Sequence, residues 1–168
     1  MKTIAILRHG EAEYGGDADA SRILTDNGIS NSHAAATTLN NRITEGLDAI
    51  FYSPFVRTHQ TAKIVHASLT AQNNRDITLA ANHHLLGDSS PYPVCQWLDT
   101  LPYERMLLVS HQPLVSCLAD WMVQGVNSFK LGGADNYPFF PSSLAILSAD
   151  IIAQGCAELN SLSHHPMH

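Results

Sequence analysis

Short apolar runs alternate along this chain with longer stretches of helical period. Residues 3–7 (TIAIL), 47–52 (LDAIFY), 106–109 (MLLV) and 144–147 (LAIL) are too short for buried helices and are flanked by turn or polar residues. They predict buried strands, because a strand covered on both faces reads as a near-continuous hydrophobic run rather than an alternating one. Three helices are expected between them. The first starts at Thr25 and Asp26, a hydroxyl cap followed by an acid in the first turn, and runs through residues 34–39 toward Arg42, with Gly28 a departure near its start. Ser53-Pro54 opens the second, with a cap residue, a proline at the first helical position, and Ala62, Ile64, Val65 and Leu69 on the buried side. The third begins near Pro113, where Leu114, Val115, Leu118, Trp121 and Met122 recur at helical spacing and Gly125 ends the pattern. A shorter helix is expected around residues 94–98. Residues 83–93 and 125–142, the latter with Gly132-Gly133, Pro138 and Pro141, read as loops of functional length. This alternation specifies an α/β fold with a mainly parallel sheet.

A length of 168 residues fits one domain, so residues 1–168 are read as a single unit, with 163–168 (SHHPMH) a flexible polar tail rather than a metal tract. The 45% hydrophobic content supplies a core and excludes intrinsic disorder. Nine Lys and Arg against 15 Asp and Glu leave a net charge of −6, which gives non-specific nucleic-acid binding no basic footprint. Residues 3–7 are too short for a signal peptide and no run reaches 18 apolar residues, so the expected address is cytoplasmic, without membrane association. Cys95, Cys117 and Cys156 are odd in number and widely spaced; they read as core-lining free thiols in a reducing compartment.

The chemistry concentrates where three strands end. Leu7 runs into Arg8-His9-Gly10, Tyr52 into Ser53-Pro54 with Arg57 one turn on, and Val109 into Ser110-His111. Ligands of open parallel sheets bind outside the carboxyl ends of the strands, which makes that edge a candidate anion site. Arg57 in the first turn of a helix opposes the helix dipole, so something negative should lie between them. A phosphate would satisfy the helix-end amides, Arg57 and Arg8 together; a carboxylate such as Asp48 or Glu45 is the other reading. Gly10 permits close backbone approach to a ligand. As a nucleophile, His9 must be neutral, with one ring nitrogen free and the other fixed as a donor, and its attack on phosphorus would give a phosphohistidine. Neighbouring arginines would stabilise phosphoryl oxygens and depress the histidine pKa. His111 fits as a further donor.

Four ordered pieces carry a family resemblance. They are Leu7-Arg8-His9-Gly10-Glu11-Ala12, Arg22-Ile23-Leu24-Thr25 with Gly28, Ser53-Pro54-Phe55-Val56-Arg57-Thr58-His59-Gln60-Thr61, and Val109-Ser110-His111-Gln112-Pro113-Leu114-Val115. At these residues the chain resembles the histidine phosphatase superfamily, and more closely its small bacterial phosphohistidine phosphatase branch, SixA. The resemblance implies a three-layer α/β/α sandwich of phosphoglycerate mutase-like fold, with His9 as phosphoacceptor and Arg8, Arg57 and His111 completing a catalytic phosphate pocket. It implies Arg22 as a further phosphate or substrate contact, and neither metal nor other cofactor. The implied substrate is a phosphorylated protein, a histidine-phosphotransfer domain or phosphocarrier, with inorganic phosphate as product.

The departures narrow the branch. Phosphoglycerate mutases of the superfamily carry an asparagine where Gly15 lies and a mid-chain glutamate acid; here the corresponding stretch reads Asn82-His83-His84-Leu85-Leu86-Gly87-Asp88, leaving His84, Asp88 or no residue as proton donor. Three other readings stay open: a small-molecule phosphomonoesterase with the same pocket, a non-catalytic phosphohistidine-binding module, and a metal-dependent hydrolase, the last disfavoured by the absence of an H-E-x-x-H spacing. Tyr137, Phe139 and Phe140 are expected either on a partner surface or packed within a lid.

Overall fold

The structure, a computed structural model, describes residues 1–128 and 137–165. Gly132 and Gly133 of the second long loop, and residues 166–168 of the expected tail, lie outside the described residues. Six strands form one sheet: β1 (Lys2–Arg8), β2 (Ala49–Tyr52), β3 (Thr78–Ala81), β4 (Arg105–Ser110), β5 (Leu144–Ala149) and β6 (Ala157–Ser163). Their order is β3-β2-β4-β1-β5-β6. The first four are mutually parallel, whereas β5 runs antiparallel to β1 and β6 antiparallel to β5.

Successive side chains of the central strands serve two cores. Ile4 and Ile6 of β1, with Met106 and Leu108 of β4, pack toward α3 (Pro91–Asp99) and α4 (Leu114–Ala119). Ala5, Leu7, Leu107 and Val109 face α1 (Asp26–Arg42) and α2 (Val56–Asn73). A strand covered on both faces needs apolar residues at every position, which is why these runs are continuous. The sequence missed β3 and β6 because they are the two edges. Their residues are mostly half-buried or exposed, so neither carries a strong apolar run.

Local rules place the helix ends, with one correction. Thr25 caps α1 by accepting from the Gly28 amide, as its position predicts. Ser53-Pro54 does not open α2, which starts at Val56 after Phe55. Instead the Ser53 amide continues the ladder by donating to Val109, and its carbonyl accepts from the Thr58 hydroxyl at 2.7 Å. Its own hydroxyl is thereby released for a different use. α4 continues into a π-helical turn (Asp120–Gln124) that ends at Gly125, whose φ of 71° suits glycine.

Three further expectations change. Gly10 opens no path to a ligand: a Cβ there would come within 2.7 Å of the Gly28 carbonyl, so the glycine serves close packing of the β1 loop on α1. Cys95 and Cys117 are buried, whereas Cys156 is exposed in the turn before β6 rather than lining the core. The tail is docked at its start. Ser163 ends β6, His164 Nδ1 lies 2.7 Å from Ser143 Oγ, and buried His165 spans the Ser142 carbonyl (2.5 Å) and Thr38 Oγ1 of α1 (2.9 Å). Among the described residues no helix is long and apolar enough to cross a membrane.

Candidate active site

Register brings the strand ends level. Arg8 pairs with Ser110, and Leu7 and Tyr52 both pair with Val109, so the residues that follow β1, β2 and β4 emerge side by side. The His9 amide donates to the Ser110 carbonyl at 3.0 Å, which ties the first loop to the third. From above, Ser142 donates its amide to the carbonyls of Arg8 (3.2 Å) and His9 (3.1 Å). Two segments distant in sequence, the end of β4 and the turn at Ser142, therefore fix one short loop.

His9 is buried, and its Nδ1 lies 2.7 Å from the Gly10 carbonyl. A carbonyl only accepts, so Nδ1 carries the ring proton and Nε2 keeps its lone pair. That lone pair accepts from Arg57 Nε at 3.2 Å. Burial first, with coupling to the neighbouring His111 ring and the Arg57 and Arg8 charges adding to it, brings the His9 pKa down to about 3 against the opposing bond to Gly10. The ring is neutral at physiological pH, as a nucleophilic imidazole requires.

His111 stands edge-on to His9, with ring centroids 5.2 Å apart. Its Nε2 is 2.7 Å from Ser53 Oγ, the use to which the released hydroxyl is put. In the tautomer that accepts from the Ser53 hydroxyl, the His111 proton resides on Nδ1, which is buried and has no partner. Burial and the Arg57 charge hold His111 at a pKa of about 4, so it too is neutral. Arg8 sends Nη1 to the Phe139 carbonyl at 2.9 Å, while its buried Nε has no partner. Arg8 Nε and, in that tautomer, His111 Nδ1 are unpartnered donors that an anion with several oxygens would satisfy.

Arg57 is buried and fully engaged. Besides His9, it donates to the Asp19 carbonyl at 2.7 Å and to Asp19 Oδ2 at 3.1 Å. The alternative pairing with Asp48 or Glu45 is not formed; Asp48 binds Arg75 and Arg105 at the opposite end of the sheet. Asp19 was missed by the sequence reading. Its only signal was opposite charge three residues before Arg22, whose Nη1 meets the other oxygen, Oδ1, at 3.1 Å. Those two guanidiniums, Arg22 foremost, hold the Asp19 carboxyl below the usual carboxylate range. Arg22 stands one step back from the pocket: it also binds the Glu13 carbonyl and reaches Arg57 only through Asp19.

A cleft of about 430 Å³ opens over this assembly, lined by Asp19, Phe55, Arg57, Gly87, Asp88 and His111 among others. His9 lies just behind Arg57 and His111. The two candidate proton donors separate here. Asp88 lines the cleft, whereas His84 is stacked on Trp97 at 5.5 Å and is not part of the lining. Phe139 is buried in the core rather than on a surface, and Phe140 is exposed against His164. Among the described residues no three His, Cys, Asp or Glu side chains are grouped so as to hold a metal ion.

Residues 4–80 match the model of the histidine phosphatase superfamily (branch 1). The chain is 30% identical over 125 residues to phosphohistidine phosphatase SixA of Escherichia coli K12, covering 73% of this chain and 74% of that protein. It is 28% identical over 158 residues, 88% of each, to a phosphohistidine phosphatase SixA homolog of Haemophilus influenzae. In three dimensions it matches the protein histidine phosphatase SixA solved in complex with tungstate, with a TM-score of 0.79 at 26% identity over 95% of each chain. A phosphoglycerate mutase-like α/β fold, a neutral histidine at the end of β1 and these relatives agree: the chain belongs to the SixA branch of the histidine phosphatase superfamily and is a phosphatase.

Proposed function

We propose that this phosphatase removes the phosphoryl group from a phosphorylated histidine on a signalling or phosphocarrier protein, through a phosphoenzyme on His9 Nε2. The observation that carries the reading is the arrangement of the His9 ring, with Nδ1–H committed to the Gly10 carbonyl and Nε2 left as a lone pair against Arg57. In this reading an incoming phosphoryl group draws Arg57 Nε from Nε2 onto its own oxygens and so bares the nucleophile. Arg8 Nε and His111 Nδ1 supply the other donors to the oxygens. The lone pair forms the new P–N bond as the substrate's P–N bond breaks, and water then releases inorganic phosphate from His9. Charge stabilisation comes from guanidiniums placed before the reaction starts, which is where most of such a rate enhancement arises. The names of the relatives support the phosphohistidine substrate.

Denaturing quench at alkaline pH during turnover of a phosphohistidine protein tests the intermediate. Wild-type enzyme should yield an acid-labile, base-stable phosphoenzyme, and His9→Ala should yield none. Full hydrolysis by His9→Ala would overturn the role of His9. Turnover should survive EDTA, because the pocket supplies its own cations.

A further inference from the structure

The phosphoryl pocket accounts for Arg8, His9, Arg57 and His111, but among the other residues lining the cleft an aromatic ring and a carboxylate stand out. One is Phe55, a partly exposed ring with the Arg57 guanidinium 5.1 Å from its centroid and His111 edge-on at 5.0 Å. The other is Asp88. The segment that carries it is pressed into place, since a Cβ on neighbouring Gly87 would come within 3.0 Å of the Gln112 carbonyl and 3.1 Å of His111 Cβ. Of the two carboxylates lining the cleft, Asp19 has both oxygens taken by Arg22 and Arg57, whereas Asp88 makes no hydrogen bond or ion pair with the described residues. An aromatic face and an uncommitted anion thus stand at the mouth of a cationic pocket.

We propose that Phe55 and Asp88 form a leaving-group subsite that binds the substrate's imidazole as a cation, its ring lying on Phe55 and its N–H donated to the Asp88 carboxylate. This rests on the phosphohistidine reading given above. A phosphorylated imidazole protonated on its second nitrogen carries a positive ring; when the P–N bond breaks, its electron pair returns to the ring and a neutral imidazole departs. No proton need come from the enzyme. Asp19, Arg57 and His111 line the cleft together with Asp88, and the Arg57 and Arg8 guanidiniums around His9 would otherwise oppose a cationic ring. A carboxylate and an aromatic face offset that repulsion. The product state mirrors the substrate, because the Gly10 carbonyl keeps Nδ1 of His9 protonated and phospho-His9 is likewise a cationic ring. An aryl ester presents the reverse charge: its leaving group becomes a phenolate, which Asp88 repels.

Opposite signs on two substrates make the test. With phosphoimidazole, Asp88→Asn should lower kcat/KM about tenfold, and with p-nitrophenyl phosphate it should raise kcat/KM about threefold. The kcat of wild-type enzyme on phosphoimidazole should fall at high pH as the bound ring loses its proton, and Asp88→Asn should move that limb to lower pH. A general-acid role predicts instead that Asp88→Asn harms the ester more than the phosphoramidate, and that result overturns the subsite, as does an unchanged ratio between the two substrates. If wild-type enzyme fails on both phosphoimidazole and a phosphohistidine protein, it is the phosphohistidine reading that fails; if it turns both over while the ratio stays fixed, only the subsite does.

Discussion

The nucleophilic role proposed for His9 makes two demands that conflict in water: a free lone pair at neutral pH and a fixed tautomer. Burial beside Arg8, Arg57 and His111 meets the first, and the Gly10 carbonyl meets the second. The cost falls on acid stability. A histidine whose pKa is depressed in the fold takes up its proton only on unfolding, so from its unfolded pKa of 6.5 down to about 3 for His9 and about 4 for His111 the unfolded chain binds protons the native one refuses. Stability should therefore fall as pH falls through that window and be indifferent to these groups above it. Each linked proton is worth about 1.4 kcal/mol per pH unit. Urea midpoints at pH 7 and pH 5 should differ less in His9→Gln and His111→Gln than in wild type; equal differences would mean that the rings are already charged in the fold. The convergence of the four candidate residues was legible because Arg8, His9 and His111 stand where apolar runs end and Arg57 lies in the first turn of the helix after β2. Asp19 and Ser53 were not: one is a partner brought in by folding, and the other resembles a helix cap until the sheet claims its amide and His111 its hydroxyl.

The contact that seats the His9 loop is made between elements, by two glycines. Gly28 in the first turn of α1 faces the backbone of Glu11, and Gly10 faces Gly28, so the loop after β1 and the start of α1 touch backbone to backbone. Elsewhere in a helix, Gly→Ala is stabilising by roughly 1 kcal/mol. At Gly28 the sign should reverse, because the new methyl group would run into the Glu11 carbonyl and overpacking typically costs about 1–3 kcal/mol. A lowered urea midpoint with a reduced kcat checks this; a raised midpoint would show that the contact yields freely. The glycine looked like a flaw in the helix when only helix propensity was weighed. The same limit applies to the start of the segment 163–168, read as a flexible tail, where His165 is held because it links Ser142 to Thr38, joining the turn above His9 to α1. Edge strands and docked ends take their stability from neighbours, and sequence periodicity does not record neighbours.

At the scale of the whole molecule, a chain of net charge −6 gathers two arginines and two neutral histidines at one sheet edge, and the carboxylate that belongs to them, Asp19, already stands in for an anion. If the four groups form one binding site, inorganic phosphate should stabilise the entire fold by mass action, about 2.7 kcal/mol at a hundred times its Kd. Removing one contributor should then remove the shift in proportion to its share. Arg57→Ala should abolish most of the phosphate-dependent rise in Tm and slow turnover about 10²–10³-fold, the usual effect of losing a preorganised donor. Arg57→Lys should not restore either, because an ammonium cannot span His9 and Asp19 as the guanidinium fork does. Arg22→Ala should keep most of the shift, since Arg22 touches the pocket only through Asp19. Thermal melts of the three variants with and without phosphate, repeated in EDTA, decide the matter: equal loss in Arg22→Ala and Arg57→Ala would place Arg22 in the pocket itself, and loss of the wild-type shift in EDTA would mean that the anion is held through a metal.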